Sequence, residues 1–169
     1  MHPSFIKPRY DSGGFAGTPQ RIQEAFASKK YDAVVLFFVD AFGWRFFERF
    51  QEAPFIKRIA KHGKVEKLTS QFPSTTAAHV TTMHTGLNVG QSGVHEWYYY
   101  EPLVDRVIAP LLFSYAADGK GRDSLENKIK PEVLYPKGIF YPALSAMGVE
   151  SFNYGIRDYT PSSYSKVVM

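Results

Sequence analysis

The apolar run AVVLFFV, residues 33–39, restricts the fold of this chain more than any other feature. The run is continuous rather than alternating, and β-branched and aromatic side chains dominate it. Such a run is typical of a strand that is covered on both faces, as in parallel sheets. It is far shorter than the roughly 20 residues that a membrane helix needs, so no membrane partner is predicted. We therefore predict a buried strand over residues 31–40.

The rest of the chain alternates between helical and strand patterns, which is typical of an α/β layered sheet with flanking helices. A proline after Thr18 and a glycine at position 63 or 148 are local helix signals. The predicted helices begin at Thr18, near Phe42, at Pro54, at Thr76 and at Ile139. The other predicted strands are residues 65–70 and 149–154, and an aromatic-rich hairpin or loop is predicted over residues 93–113. As domains, we predict an N-terminal arm and helix over residues 1–30, a main domain over 31–169, and an insertion or lid at 93–136.

Composition excludes several classes of protein. With 169 residues, 44% hydrophobic and 21% charged, the chain suits one globular domain rather than a disordered segment. The net charge of +4 is small and scattered, so no stable nucleic-acid complex is predicted. Cysteine is absent, which leaves oxygen and imidazole as the ligands for any metal. The first residues lack the apolar segment of a signal peptide, and the predicted location is cytoplasmic.

Asp40 follows directly after the apolar run. Ligands of open α/β sheets gather at the carboxyl ends of the strands, and a carboxylate there is costly unless it is paired or bound to a metal. The alternative is an aspartate that caps the helix beginning near Phe42 and Gly43. Position alone leaves both interpretations open.

The stretch SQFPSTTAAHVTTMHTG, residues 70–86, is rich in hydroxyl groups and carries no charged side chain. Its Ser74, Thr75 and Thr76 fall at a predicted helix N-terminus, where free N–H groups and the helix dipole favour an anion. A hydroxyl attacks poorly at neutral pH unless it is activated, and a divalent metal held by Asp40 could supply that activation. The alternative is an ordinary helix cap. The pattern alone therefore predicts an anion site beside a hydroxyl.

Three segments together, VVLFFVDAFG, FPSTTAAHVTTMHTG and GQSGVHEWYYYEP, resemble the N-terminal half of the type I phosphodiesterase/nucleotide pyrophosphatase family of the alkaline phosphatase superfamily. The family pattern has a metal-binding aspartate after a strand, then F-P-x-x-T, with T-G nine residues after the nucleophilic threonine. Thr76 and Thr85 have that spacing. The resemblance implies an alkaline-phosphatase-like fold in which Thr76 is the nucleophile, with Thr75 as the fallback.

The same resemblance implies the cofactors and the chemistry. Asp40 and Thr76 would bind one of two divalent metal ions, usually zinc, with manganese as the alternative. The threonine would attack phosphorus, and a threonyl-phosphate would form and be hydrolysed. The substrate implied is a small phosphate ester with a phosphodiester or pyrophosphate bond, nucleotides included.

This sequence departs from the family pattern at several positions. His79 stands where the pyrophosphatases usually carry a phosphate-binding asparagine, and we predict that it contacts substrate, with simple packing as the alternative. Ser92 and Gly93 replace the usual histidine-glycine pair. The remaining family ligands are not found, because no histidine follows His95 and none lies four residues after an aspartate. We expect them beyond Met169, so that the chain is an incomplete N-terminal part of the domain and a poor catalyst by itself.

Competing functions remain open at this point. Within the superfamily, the substrate could be a phosphomonoester, a phosphonate or a sulfate ester. A non-catalytic, truncated domain that binds phosphate is a separate alternative. His84 is predicted to pack rather than to bind metal, and His95 with its aromatic neighbours forms either a wall for a nucleotide base or a packed hairpin. The oligomeric state is not predicted.

Overall fold

Helices account for most of the regular structure of this chain. The computed structural model describes residues 5–117, 119, 121–157 and 159–169. The first four residues of the predicted arm, Asp118 and Lys120 of the predicted insertion, and Asp158 lie outside the described residues. The helices are α1 (Thr18–Ala27), α2 (Trp44–Phe50), α3 (Pro54–His62), α4 (Thr76–Thr85), α5 (Val89–Ser92), α6 (Pro131–Leu134), α7 (Phe140–Ala146) and α8 (Ser163–Val168), with 3-10 turns at Phe15–Gly17 and Pro110–Leu112.

Local signals determine where these helices begin and end. Proline occupies the first turn of α1 and the first position of α3, where its missing N–H costs nothing. The helix α4 begins after the cap residue Thr75 and ends at Gly86, whose φ of 74° is the left-handed conformation that glycine adopts without strain. The helices predicted near positions 18, 42, 54, 76 and 139 are all confirmed.

The sheet is small and antiparallel. Its strands are β1 (Tyr99–Glu101), β2 (Arg106–Ala109) and β3 (Ser114–Tyr115), in the order β1-β2-β3. Tyr99 pairs with Ile108, and Ala109 pairs with Ser114. The first two strands form the hairpin predicted within residues 93–113. Mixed α/β character is therefore confirmed.

The hydrophobic core lies between this sheet, α4 and α8. Its buried members are Ala77, Val94, Ile108, Leu111, Phe113, Leu125, Tyr135, Tyr164 and Val168. The Tyr135 ring lies 5.1 Å from that of Tyr164, edge to face at 88°. Both hydroxyls have partners, since Tyr135 donates to the Pro110 carbonyl at 2.7 Å and Tyr164 shares a 2.8 Å bond with Thr81. The segment predicted as an insertion or lid, residues 93–136, supplies much of this core, and its assignment as an insertion stays a prediction.

The layered parallel sheet is not formed within the described part of the chain. Residues 31–40, 65–70 and 149–154 were expected to be strands, and the structure has them as irregular chain apart from one parallel bridge between Gly14 and Thr69. The prediction that residues 31–40 are buried is wrong for this structure, because they are exposed throughout. A parallel strand is covered only when neighbouring strands and helices pack on it. The described residues supply no neighbouring strand here, and the one ring contact to the segment is that of Phe15 with Phe38, with centroids 5.5 Å apart.

Among the described residues, no helix has both the length and the apolar character that a membrane span requires.

His84, in the last turn of α4, packs against α7. Its Nδ1 lies 2.8 Å from the Tyr141 hydroxyl, and burial lowers the pKa of the imidazole to about 4. The folded state therefore disfavours the charged ring, whereas the unfolded chain takes up a proton near the ordinary value of 6.5. This agrees with the packing role predicted for His84.

A pH dependence of stability follows from this burial. Because the folded pKa is depressed, the contribution of His84 is complete above pH 6.5 and is lost as the pH falls towards 4. We expect a loss of up to about 3 kcal/mol in the free energy of unfolding over that window. Urea unfolding at stepped pH measures it. His84→Gln, which keeps a hydrogen-bonding group but does not titrate, should give a flatter profile; identical profiles would contradict the assignment.

Candidate active site

Thr75 and Thr76 occupy the N-terminus of α4 and have different partners. The Thr75 side chain caps the helix by accepting the Ala78 N–H at 3.3 Å. It also donates to the His95 carbonyl at 2.9 Å, which ties the helix start to the chain leading into β1. The Thr75 hydroxyl is therefore engaged in two structural hydrogen bonds. The Thr76 hydroxyl takes part in neither of them.

Asp40 is the partner of Thr76. The Thr76 Oγ1 lies 3.3 Å from each of the two carboxylate oxygens of Asp40. The Ala41 N–H donates to Asp40 Oδ1 at 2.9 Å, and Ala41 adopts a left-handed φ of 57°. That conformation costs about 1 kcal/mol for a residue other than glycine. The turn after Asp40 thus holds the carboxylate beside the hydroxyl.

The structure does not use Asp40 as a helix cap, which was the alternative interpretation of this residue. The N-cap residue of α2 is Gly43, and no side chain caps that helix. Asp40 accepts instead from the backbone of its own turn and from Thr76. The two residues that the sequence assigned to metal binding are therefore in contact, although their role as ligands stays a prediction.

The donor set at this point fits a metal ion only in part. A carboxylate and a hydroxyl oxygen converge, and both are hard donors of the kind that divalent ions accept. Zinc sites, however, usually have at least three protein ligands. No group of three or more His, Cys, Asp or Glu side chains that could hold a metal is found among the described residues. Asp40 and Thr76 do not complete a metal site by themselves.

His79, one turn further along α4, has both ring nitrogens engaged. Its Nδ1 lies 2.7 Å from the Thr75 carbonyl, and its Nε2 accepts the Gln71 N–H at 3.2 Å. The Phe15 ring meets the imidazole edge to face, with centroids 4.5 Å apart. A hydrogen bond from His79 to substrate would require one of these backbone bonds to break. The geometry favours the packing alternative for His79. The contact of His79 with substrate stays a prediction.

This geometry predicts a stability effect for His79→Ala. The change removes two hydrogen bonds and leaves the Gln71 N–H without its partner, whereas the Thr75 carbonyl keeps the bond from the backbone N–H of residue 79. Because Gln71 is buried, we expect the free energy of unfolding to fall by about 2 kcal/mol. Urea unfolding at neutral pH measures the change. The matched control is His62→Ala at the exposed end of α3, which should stay within about 0.5 kcal/mol of the parent chain. Equal effects of the two substitutions would show that the paired imidazole contributes nothing.

Gln71 is a part of this site that the sequence did not indicate. Its buried side chain donates to Thr82 Oγ1 at 2.8 Å and accepts the Val89 N–H at 2.8 Å. Together with the bond to His79, these contacts fix the chain before Thr76 to α4 and α5. A single glutamine before a Phe-Pro pair is not part of any sequence motif that predicts a structural role, so Gln71 could not have been identified from the sequence.

An open groove lies against the turn that follows Asp40. It has a volume of about 470 Å³ and is lined by Ala41, Trp44, Arg45 and Lys67, among others. The Lys67 ammonium lies 5.4 Å from the centre of the Trp44 ring. An aromatic face, two cationic side chains and the Glu48 carboxylate thus line a groove that includes Ala41, the residue after Asp40.

Residues 34–112, a little under half of the chain, match the model of the family described as type I phosphodiesterase / nucleotide pyrophosphatase. The matched segment contains Asp40, Thr76 and His79, and the family description implies hydrolysis of phosphodiester or pyrophosphate bonds in general. The resemblance inferred from the motifs is confirmed over this N-terminal portion. No curated protein and no solved structure matches the chain.

Proposed function

We propose, from the match of residues 34–112 to that family, that this chain carries the nucleophile of a hydrolase for phosphodiester or pyrophosphate bonds. The nucleophile is Thr76. The observation that supports this most directly is the 3.3 Å distance from Thr76 Oγ1 to both oxygens of Asp40. Two residues that lie far apart in the sequence meet where the family pattern requires a metal-binding carboxylate and a nucleophilic hydroxyl.

The proposed reaction has two displacements at phosphorus. Thr76 Oγ gives its proton to water and bonds to phosphorus while the bond to the leaving oxygen breaks, and that oxygen takes a proton from water. A second water then attacks the phosphorylated threonine, one of its protons returns to Thr76 Oγ, and the phosphate product leaves with the second substituent of the substrate still attached. Asp40 orients the hydroxyl in the first step, because the attacking oxygen must already be aligned with phosphorus.

The first turn of α4 suits the anionic substrate. In the described part of the chain the N–H of Thr76, a partly exposed residue, has no hydrogen-bond partner, whereas Ala77 is fully buried and out of reach of a substrate. Free N–H groups at a helix N-terminus bind phosphate oxygens, and the helix dipole adds to the attraction. Trp44, Arg45 and Lys67 in the neighbouring groove would accept the anionic or aromatic portion of a small phosphate ester, such as a nucleotide.

Divalent metal remains part of the proposal because the family is generally metal-dependent. Asp40 and Thr76 would contribute two ligands to zinc, or to manganese as the alternative, and a bound ion would lower the pKa of the threonine hydroxyl. The other ligands must come from groups beyond these two. A low rate is therefore expected of this chain by itself.

A substrate panel tests the proposed function. With zinc or manganese added, we expect the chain to hydrolyse bis-p-nitrophenyl phosphate faster than p-nitrophenyl phosphate or p-nitrophenyl sulfate, and we expect chelation with EDTA to stop the reaction. Mass spectrometry of samples quenched with acid during turnover of the diester should find a p-nitrophenyl phosphoryl group on Thr76, because only one of the two ester groups leaves in the first step. Faster cleavage of the monoester or of the sulfate would favour those alternatives.

One further outcome has support in the structure. Because the described residues hold no third metal ligand, the chain could bind phosphate without turnover. Inorganic phosphate binding by calorimetry, with no hydrolysis of any substrate in the panel, would identify it as a phosphate-binding domain and would refute the catalytic proposal.

A further inference from the structure

The N-terminal arm, residues 9–15, lies against the chain that leads to α4. The Phe15 N–H donates to the Thr69 carbonyl at 2.8 Å, and Gly14 forms a parallel bridge with the same residue. The Arg9 N–H donates to the Thr69 hydroxyl at 2.8 Å. The arm precedes the segment that matches the family model, so these contacts are not part of that match. The backbone of the arm is thus attached to the approach to the candidate active site.

The arm is a closed turn with its own internal contacts. The Asp11 carboxylate accepts from Arg9 Nε at 3.0 Å and Nη2 at 2.9 Å, and it also accepts the Gly13 N–H at 2.8 Å. Gly14 is packed so closely that a Cβ there would lie 1.8 Å from the Arg9 carbonyl oxygen. A side chain at position 14 would therefore force the turn to move. The turn presents its remaining residues, Tyr10 among them, in defined directions.

Tyr10 holds both backbone groups of Phe72. Its hydroxyl accepts the Phe72 N–H at 3.2 Å and donates to the Phe72 carbonyl oxygen at 3.4 Å. Within the described residues, Phe72 has no other hydrogen bond. The preceding residue, Gln71, is buried and anchored to α4 and α5, whereas Phe72 is exposed. Tyr10 therefore supplies an anchor that the interior of the protein does not supply, shortly before Thr76.

Phe15 contacts both stretches of chain that carry the proposed catalytic pair. Its ring centroid lies 5.5 Å from that of Phe38, two residues before Asp40, and 4.5 Å from that of the His79 imidazole in α4. The nucleophile proposed above, Thr76, begins the same helix. One side chain of the arm therefore touches the segment of the carboxylate and the helix of the hydroxyl.

We propose that the arm positions the active site and that Tyr10 is a positioning residue for Thr76; this rests on the proposed role of Thr76 as nucleophile. Tyr10 acts through Phe72 and not on the substrate. By holding Phe72, it sets the direction in which the chain enters α4, and with it the place of Thr76 Oγ beside Asp40. A misplacement of about 1 Å is enough to slow an aligned attack, so loss of this anchor lowers the rate of the chemical step more than substrate binding.

Tyr10→Phe removes the hydroxyl, keeps the ring and tests the proposal by kinetics. Tyr31→Phe is the matched control, because the two tyrosines are 48% and 49% exposed and the Tyr31 hydroxyl has no hydrogen-bond partner within the described residues. With bis-p-nitrophenyl phosphate and added zinc, we expect kcat per folded molecule to fall about tenfold in Tyr10→Phe and KM to stay within about twofold of the parent value. Tyr31→Phe should change neither constant.

A kcat of Tyr10→Phe equal to that of the control would overturn the proposal. Urea unfolding of both variants gives the folded fraction to which the rates are referred. If Tyr10→Phe lost stability while kcat per folded molecule stayed at the parent value, the arm would have a structural role only.

Amide exchange followed by NMR tests the positioning without turnover. In Tyr10→Phe the Phe72 N–H loses its acceptor and exchanges faster whatever the role of the arm. The informative amides are those of Gln71 and Ala78, which form hydrogen bonds before α4 and in its first turn. We expect both to exchange about fivefold faster than in the parent, with the last turn of α4 unchanged. Unchanged exchange at Gln71 and Ala78 would refute the proposal.

The two measurements separate this proposal from the proposed function. A parent chain that hydrolyses no substrate, together with faster exchange at Gln71 and Ala78 in Tyr10→Phe, would refute the catalytic role of Thr76 and confirm that the arm positions the start of α4. An active parent chain with an unchanged kcat in Tyr10→Phe would refute the positioning role and leave the nucleophile in place.

Discussion

Thr76→Ala is expected to lower the hydrolysis of bis-p-nitrophenyl phosphate by about 10³-fold or more, because it removes the atom that attacks phosphorus. Such a loss corresponds to at least about 4 kcal/mol of transition-state stabilisation. The substitution should leave the fold intact, since within the described residues the Thr76 side chain has no hydrogen-bond partner other than Asp40. The measurement is the initial rate at saturating metal, together with the absence of the p-nitrophenyl phosphoryl group from the peptide that contains residue 76.

Two neighbouring variants make that result specific. Thr75→Ala removes the cap of α4 and should cost about 1 kcal/mol of stability while leaving the nucleophile in place. Thr76→Ser keeps a hydroxyl at the attacking position and should retain measurable activity. Comparable rates for Thr76→Ala and the parent chain would exclude Thr76 as the nucleophile, and loss of activity only in Thr75→Ala would transfer the role to the fallback residue.

Phe113→Ala is expected to be the most destabilising single change in the core, with a loss of about 3–5 kcal/mol. The ring is fully buried and meets Tyr135 edge to face, with centroids 5.9 Å apart. Phe113 also holds a left-handed φ of 49° between the 3-10 turn Pro110–Leu112 and β3. A bulky residue adopts that conformation only when its surroundings hold it there, so the ring and the turn depend on each other.

Urea unfolding of Phe113→Ala measures this loss, and an exposed phenylalanine provides the control. Phe55 lies in α3 with most of its ring in solvent, and Phe55→Ala should change stability by less than about 1 kcal/mol. Similar losses for the two variants would mean that the core is not organised around Phe113. Activity should fall in Phe113→Ala only as far as folded protein is lost.

How much of this structure the sequence could predict depends on how local each signal is. The start of α3 at Pro54 and the end of α4 at Gly86 follow from residues at those positions, and both were predicted. The strand at residues 31–40 was not obtained, because its burial depends on partners elsewhere. The apolar pattern of the segment indicates that it would be stable as a strand covered on both faces. It does not indicate whether neighbouring strands and helices are present to cover it.

Some contacts of the candidate site could also be predicted from the sequence, and others could not. The contact between Asp40 and Thr76 was predicted because a strand end and a helix start meet at the edge of a family fold. The double engagement of His79 was not predicted, since it depends on how the Thr75 carbonyl and the Gln71 N–H are directed. A histidine in a sequence motif does not reveal whether its nitrogens are free.

The distribution of the core has a consequence for the dynamics of the site. Every member of the core cluster lies at Ala77 or later, so Thr76 adjoins the most firmly packed portion of the described chain, whereas Asp40 belongs to a portion with little buried surface. Local opening free energies follow such differences, and amide hydrogens near Asp40 should exchange with solvent long before those of α4. The carboxylate can therefore leave the hydroxyl without global unfolding. A ligand that bridges the two residues would slow exchange mainly on the Asp40 side.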